Sequence, residues 1–127
     1  MIDHVSIPVR DLDVAGRFYD AVLMALGLER LVTREGTIGY GKRYPEFWLN
    51  SRPGSRPVEN PGAHVCLRAP NRSAVEMFHA AALALGATDE GAPGDRQATM
   101  TTYFGAFFID ADGNKLEAVT FPTHATG

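Results

Sequence analysis

The chain is short of three things, and each shortage narrows its class. It has one cysteine, Cys66, so neither a disulfide within the chain nor a cysteine-built zinc site is available. The place of Cys66 in an apolar stretch reads as simple packing. It has no excess of basic residues: 12 Lys and Arg against 15 Asp and Glu give a net charge of −3, with no run of like charge. A general nucleic-acid binder would carry a basic patch or stripe instead. It also has no apolar run approaching a membrane span, and Met1-Ile2-Asp3-His4-Val5 lacks the features of a signal peptide. The expectation is a cytoplasmic protein with neither membrane nor nucleic acid among its partners. A composition 45% hydrophobic and 21% charged is that of a globular protein, and 127 residues suffice for one domain with one core.

What the chain does have is a near-repeat of itself. His4-Val5-Ser6-Ile7 returns as His64-Val65-Cys66-Leu67. Phe18, Ala21 and Leu23 recur as Phe78, Ala81 and Leu83, and Leu26-Gly27 recurs as Leu85-Gly86, one residue out of step. Two units of about sixty residues are too few for a solenoid, which needs roughly three or more to bury a continuous core. Two modules closing on each other fit better: one at about 1–52, a linker at about 53–62 dense in proline and glycine, and a second at about 63–122.

Within each module the patterning predicts strand, helix and three strands. The first strand spans about 2–9, with His4, Ser6 and Pro8 on one face and Val5, Ile7 and Val9 on the other. A helix over 13–26 is capped by Asp11 or Asp13, carries the stripe Val14, Phe18, Val22 and Ala25, and ends at Gly27. Strands near 29–34, 37–42 and 45–50 complete the first module. The second opens with a strand at 63–69 and a helix started by the capping box Ser73-Ala74-Val75-Glu76 and closed by Gly86. A short strand at 87–90, a polar loop over 91–99 able to cover a pocket, and strands at 101–109 and 115–121 follow. Asp112-Gly113-Asn114 joins the last two as a hairpin. The tail 123–127, with His124, reads as frayed. A duplicated βαβββ unit of this kind is an α+β fold, an open mixed-sheet barrel around a central cleft suited to a ligand.

His4 and His64 hold equivalent positions, and Glu117 stands in the apolar strand Lys115-Leu116-Glu117-Ala118-Val119. A carboxylate there needs a partner, because burying it unpaired is costly. Two imidazoles and a carboxylate suit zinc, iron(II), nickel, manganese or cobalt. Singly, such residues are more often solvated or hydrogen-bonded; the symmetry of the set is what raises the metal reading. Tyr40, Trp48, Arg96, Tyr103 and Phe107 are candidates to line the pocket, with core packing the ordinary role of the aromatics. Arg96, in the covering loop, could grip an anionic substrate. His79, one residue after a core-facing Phe78, reads as an exposed helix histidine.

With His4, Val9-Arg10-Asp11-Leu12 and Phe18-Tyr19 in the first half, and His64 and the run from Phe108 to Glu117 in the second, the chain resembles the vicinal-oxygen-chelate superfamily. That superfamily includes glyoxalase I, bleomycin-resistance proteins and extradiol dioxygenases. The resemblance covers essentially the whole chain and implies the paired βαβββ fold, a homodimer, and a divalent metal on His4, His64 and Glu117. It also implies a small substrate with vicinal oxygens. Glu46 and Glu117 are then the candidate catalytic carboxylates, for a lyase or isomerase step in preference to an oxygenase. Three departures stand out. Trp48 occupies the place of a fourth ligand, with Glu46 and Asn50 two residues to either side. Ala111 stands where relatives often have proline, and Met100 near where a histidine would serve as acid or base. Trp48 keeps open an alternative: a metal-free protein that sequesters a planar compound.

Overall fold

The computed structural model describes residues 1–59 and 61–122; the tail expected to fray, with His124, lies outside them. The elements run β1 (Val5–Val9), α1 (Leu12–Met24), β2 (Glu29–Arg34), β3 (Thr37–Gly41), β4 (Phe47–Ser51), β5 (Val65–Arg68), α2 (Arg72–Ala84), β6 (Thr88–Gln97), β7 (Thr102–Ile109) and β8 (Lys115–Thr120). This is the α+β duplicated βαβββ order that the repeat implies. The strands form two four-stranded sheets, β1-β4-β3-β2 and β5-β8-β7-β6. In each, the first and last strands of the module run parallel and the other pairs antiparallel. No strand of one sheet pairs with the other, so neither closes into a barrel.

Local chemistry explains the helix ends. Asp11, extended at φ −128°, accepts from the Val14 N–H at 3.1 Å, and Gly27 leaves α1 at φ +79°, a left-handed turn that suits glycine. The buried stripe is turned by about one residue from the expected one. It comprises Ala15, Gly16, Tyr19, Val22 and Leu23, and leaves Val14 50% exposed. The second helix is capped by Asn71, whose side chain accepts from Ala74 N–H at 2.9 Å. Ser73 therefore lies inside the first turn and is not the cap: Asn71, two residues earlier, is extended and satisfies the N–H three residues on. Gly86, at φ +98°, ends that helix as expected.

The polar segment 91–99 is a strand over most of its length. β6 extends to Gln97, paired with β7, and absorbs register shifts between Asp89 and Gly91 and between Gly91 and Gly94. Glycine-bearing bulges let a polar edge strand bend without losing its partner, which is how the sequence disguises it as a loop. Only the turn at 98–101 remains, closed by Ala98 N–H donating to Thr101 O at 2.8 Å.

Each helix covers one face of its sheet. Ile7, Val9, Tyr19, Val22, Leu23, Phe47 and Leu49 pack in the first layer, and Val75, Phe78, Phe108, Leu116 and Ala118 in the second. The layers join where α1 packs on α2 and Phe18 meets Phe108 edge-on at 5.5 Å. Polar bonds fasten the same joint: Tyr19 OH donates to Asp110 Oδ2 at 2.6 Å, Arg10 Nε to Asp112 Oδ1 at 2.8 Å, and Asn114 Nδ2 to the Pro8 carbonyl at 2.9 Å. With the helices inside this joint, the other face of each sheet stays open. On β1, Ser6 and Pro8 are exposed while Ile7 and Val9 are buried, as the alternation requires. Among the described residues no helix is long and apolar enough to cross a membrane.

Candidate functional site

Strand register fixes which residues of the two modules correspond. In the first sheet Val5 is opposite Phe47 and Ser6 opposite Trp48; in the second, Val65 is opposite Leu116 and Cys66 opposite Glu117. His4 thus matches His64, Ser6 matches Cys66, and Trp48 matches Glu117. One strand further, Trp48 faces Gly39 and Glu117 faces Phe107. The modules have exchanged partners: an indole over a glycine in one, a carboxylate beside a phenyl ring in the other. Gly39 makes the first arrangement possible, since a Cβ there would stand 2.9 Å from the Trp48 ring.

On the open face of the second sheet His64 Nε2 and Glu117 Oε1 are 3.0 Å apart. Glu117 is 5% exposed, held in the sheet by β5 and β7 on either side, while the His64 side chain is 39% exposed. A buried carboxylate beside a half-open imidazole can share a proton or, with that proton lost, offer two donors to one cation. Donors bound to one ion at about 2.1 Å and near-tetrahedral or right angles stand roughly 3.0–3.4 Å apart, so this pair is already spaced as adjacent ligands.

His4 does not join them. Its Nδ1 lies 2.7 Å from Asp3 Oδ2 on an exposed edge, and the described residues contain no group of three His, Cys, Asp or Glu placed to hold a metal. Pro8, at the opposite end of β1, is the residue that lines the cleft beside His64. Four residues of strand separate Pro8 from His4, roughly 13 Å.

The remaining candidates divide by face. Phe107 lies across from Glu117, its ring centroid 5.9 Å from that of His64. Tyr103, farther along β7 on the same face, has its hydroxyl pKa raised, by burial first and then by the Glu117 charge. Trp48 is half-buried on the open face of the first sheet, and Glu46 is exposed just ahead of β4, where its carbonyl accepts from Val5 N–H at 2.9 Å. Tyr40 is corrected to the core. It is wholly buried beneath α1 and donates to Gly16 O at 3.1 Å and Asp20 Oδ1 at 2.9 Å, because its strand parity is that of Ile38 and not of Gly39. Arg96 is corrected as an anion grip. Its guanidinium donates to the carbonyls of Gly94, Gly105 and Ala92 and lies over Phe107, so it braces the bulged strand.

Two readings of single residues also change. Cys66 is exposed as a residue on the site face, but its thiol is partly buried, and that burial together with the Glu117 charge pushes it up to about 12. His79 is buried at 6% exposure, its Nε2 2.9 Å from Asp89 Oδ1, which also accepts from Gly91 N–H at the bulge. Lys115 belongs to the site as well and was missed. It shares the parity of Glu117, and its Nζ stands 4.9 Å from the centre of the Phe107 ring, at a cleft of about 560 Å3 that His64 also lines. Parity with His64 and with Glu117 was the available signal for Cys66 and Lys115.

Comparison with known proteins follows the same line. No curated protein matches the sequence. Among solved structures, a glyoxalase/bleomycin resistance protein from Albidiferax ferrireducens is 32% identical, with a TM-score of 0.81 over 92% of this chain and 96% of that one. Two fosfomycin resistance proteins, FosX, share the fold. The one from Mesorhizobium loti is 16% identical, with a TM-score of 0.68 over 99% of this chain and 95% of that chain. A variant of the one from Listeria monocytogenes, complexed with Mn(II) and 1S,2S-dihydroxypropylphosphonic acid, is 15% identical, with a TM-score of 0.69 over 93% and 87%. The family model described as Glyoxalase/Bleomycin resistance protein/Dioxygenase superfamily matches residues 1–118. With that match spanning both modules, the chain belongs to the glyoxalase/bleomycin resistance/dioxygenase superfamily.

Proposed function

We propose that this protein is a metal-dependent enzyme of the glyoxalase type, a lyase or isomerase acting on a small molecule with vicinal oxygens. The observation that carries the reading is the His64–Glu117 pair, two donors 3.0 Å apart on an otherwise open sheet face. A homodimer completes the set, with the partner subunit's His4 as third ligand. Within one chain His4 sits on a separate exposed edge, and among the described residues its imidazole is paired with Asp3 alone. The Mn(II) of the Listeria FosX complex makes a divalent ion a reasonable occupant here.

A divalent ion held by these groups would supply Lewis-acid stabilisation to charge developing on adjacent substrate oxygens. The protein's own contribution is positional. Glu117 is clamped between two strands, and the Phe107 ring walls one side of His64. Glu46 and Glu117 are the carboxylates available to move a proton at a carbon acid, a role that contributes roughly 10²–10⁴-fold. No histidine stands near Met100 to help, which weighs against an oxygenase.

A second reading has its own observation. Trp48 holds the position that corresponds to Glu117 and presents its indole on the open face over Gly39. An aromatic platform there suits a metal-free protein that sequesters a planar compound. Metal analysis of protein purified without chelator or affinity tag, wild type beside His64→Ala, decides between them. Metal near one ion per chain, lost in the variant, supports the enzyme; none in either protein, even after soaking with divalent ions, leaves the binding protein.

A further inference from the structure

The Phe107 ring gathers three nitrogen groups: the His64 imidazole at 5.9 Å, the Arg96 guanidinium at 5.3 Å and the Lys115 ammonium at 4.9 Å. They are not equivalent. His64 is paired with Glu117, and Arg96 directs its N–H groups to three backbone carbonyls. Lys115 makes neither an ion pair nor a hydrogen bond among the described residues.

Lys115 is half-buried as a residue, its ammonium has three N–H donors, and an aromatic face satisfies none of them directionally. The ring attracts and orients the charge, leaving the donors to meet something in the cleft. Glu59 and Glu90 line the same 560 Å3 cleft, and among the described residues neither comes within ion-pairing distance of Lys115. The neighbouring residues Pro57, Val58 and Ile109 offer no charge. Lys115 and His64 also line an adjoining hollow of about 220 Å3. Two residues of β8 separate it from Glu117 on the same face, roughly 6–7 Å.

We propose that Lys115 is the anion-binding residue of this site, and that the small molecule held at His64 and Glu117 is an acid. Its compact oxyanion, a carboxylate or a phosphonate, lies on the Lys115 side, a few bonds from the oxygens that face His64 and Glu117. This rests on the metal-site reading given above for the position of those oxygens. Lys115 thereby sets substrate class, while His64 and Glu117 hold the reacting end.

The test is calorimetric titration of wild type, Lys115→Met and Lys115→Arg, first with Mn(II) alone and then, in the Mn(II)-loaded proteins, with methylphosphonate and with acetate. Mn(II) affinity should not fall in either variant, since Lys115 is not a ligand and loss of its positive charge in Lys115→Met can only favour a cation. Whichever oxyanion binds the wild type more tightly identifies the substrate's acid group. Its affinity should fall by about tenfold or more in Lys115→Met and return to within roughly threefold in Lys115→Arg. Equal affinity in Lys115→Met, or no binding of either anion to the wild type, overturns the proposal. Failure of the wild type to take up Mn(II) defeats the metal reading instead; the anion titrations are then run on metal-free protein and judged by the same ratios.

Discussion

Asp110 is the residue on which the joint between modules turns. Its carboxylate accepts from Tyr19 OH at 2.6 Å, from the Asp112 and Asn114 N–H groups at 2.9 Å each, and from Asn114 Nδ2 at 3.1 Å. Burial nonetheless holds its pKa above the usual carboxylate range, against the pull of those donors. The folded chain therefore binds this proton more tightly than the unfolded chain. The group's contribution to stability is greatest below the unfolded value of about 3.9 and declines as pH rises through the folded value. Tyr19→Phe removes a donor that favours the ionised form, so Asp110 rises further. The variant should lose about 1.5–3 kcal/mol at pH 7, where the bond is to a charge, and less at pH 4. Urea unfolding at both pH values checks this, and equal losses would contradict it. Cys66 offers a second test. A thiol at about 12 is almost wholly protonated at pH 8, so iodoacetamide should alkylate it at least about a hundredfold more slowly than free cysteine despite its exposure. Glu117→Gln removes the second of the two causes, and alkylation should then speed up by roughly several-fold.

At the scale of elements the two candidate caps of α2 can be told apart. Asn71→Ala should cost about 1 kcal/mol in thermal or urea unfolding, because the Ala74 N–H loses its acceptor; Ser73→Ala, inside the first turn, should cost less than about half of that. The reverse order would restore Ser73 as cap. The serine was attractive in sequence because Glu76 follows it three residues later, and that pattern carries no information about which residue turns extended. The same limit applies to β6. Gly91, Pro93 and Gly94 carry a loop's composition, yet Gly91 and Gly94 pair with β7 and Pro93 lies in the bulge between them, and such pairing depends on residues ten or more positions away. What alternation does specify was legible: His4, Ser6 and Pro8 outward on β1, and the common frame of Glu117 and Val119 on β8. The place of Trp48 at a fourth-ligand position came from the resemblance, and the strand register sets it opposite Ser6 as Glu117 is set opposite Cys66. Tyr40 shares the parity of the apolar Ile38, but Gly39 and Gly41 on either side offer no polar face to set against it. His79 and Asp89 meet only when α2 lies down on β6.

On the scale of the whole molecule, the open faces and the isolation of His4 make one prediction that separates a site within the chain from one across a dimer. The modules of a chain are fastened through α1, α2 and the Asp110 joint, which leaves His4 on an exposed edge of the first sheet and His64 with Glu117 on the open face of the second. Under two-fold symmetry each site would take His4 from one subunit and the pair from the other, so a dimer holds two equivalent sites. His4→Ala and His64→Ala should then each fail to hold metal alone. Mixed in equal amounts, unfolded and refolded together, half the dimers become heterodimers. Each of these has one site with all three ligands intact and one lacking both histidines, so the mixture should recover about one quarter of an ion per chain, against one for the wild type. A site built inside one chain recovers nothing on mixing, since every chain carries a broken copy. Elemental analysis of the refolded mixture, with sedimentation to confirm the dimer, reads the difference directly; metal that stays absent while dimers form would return the third ligand to the chain's own residues.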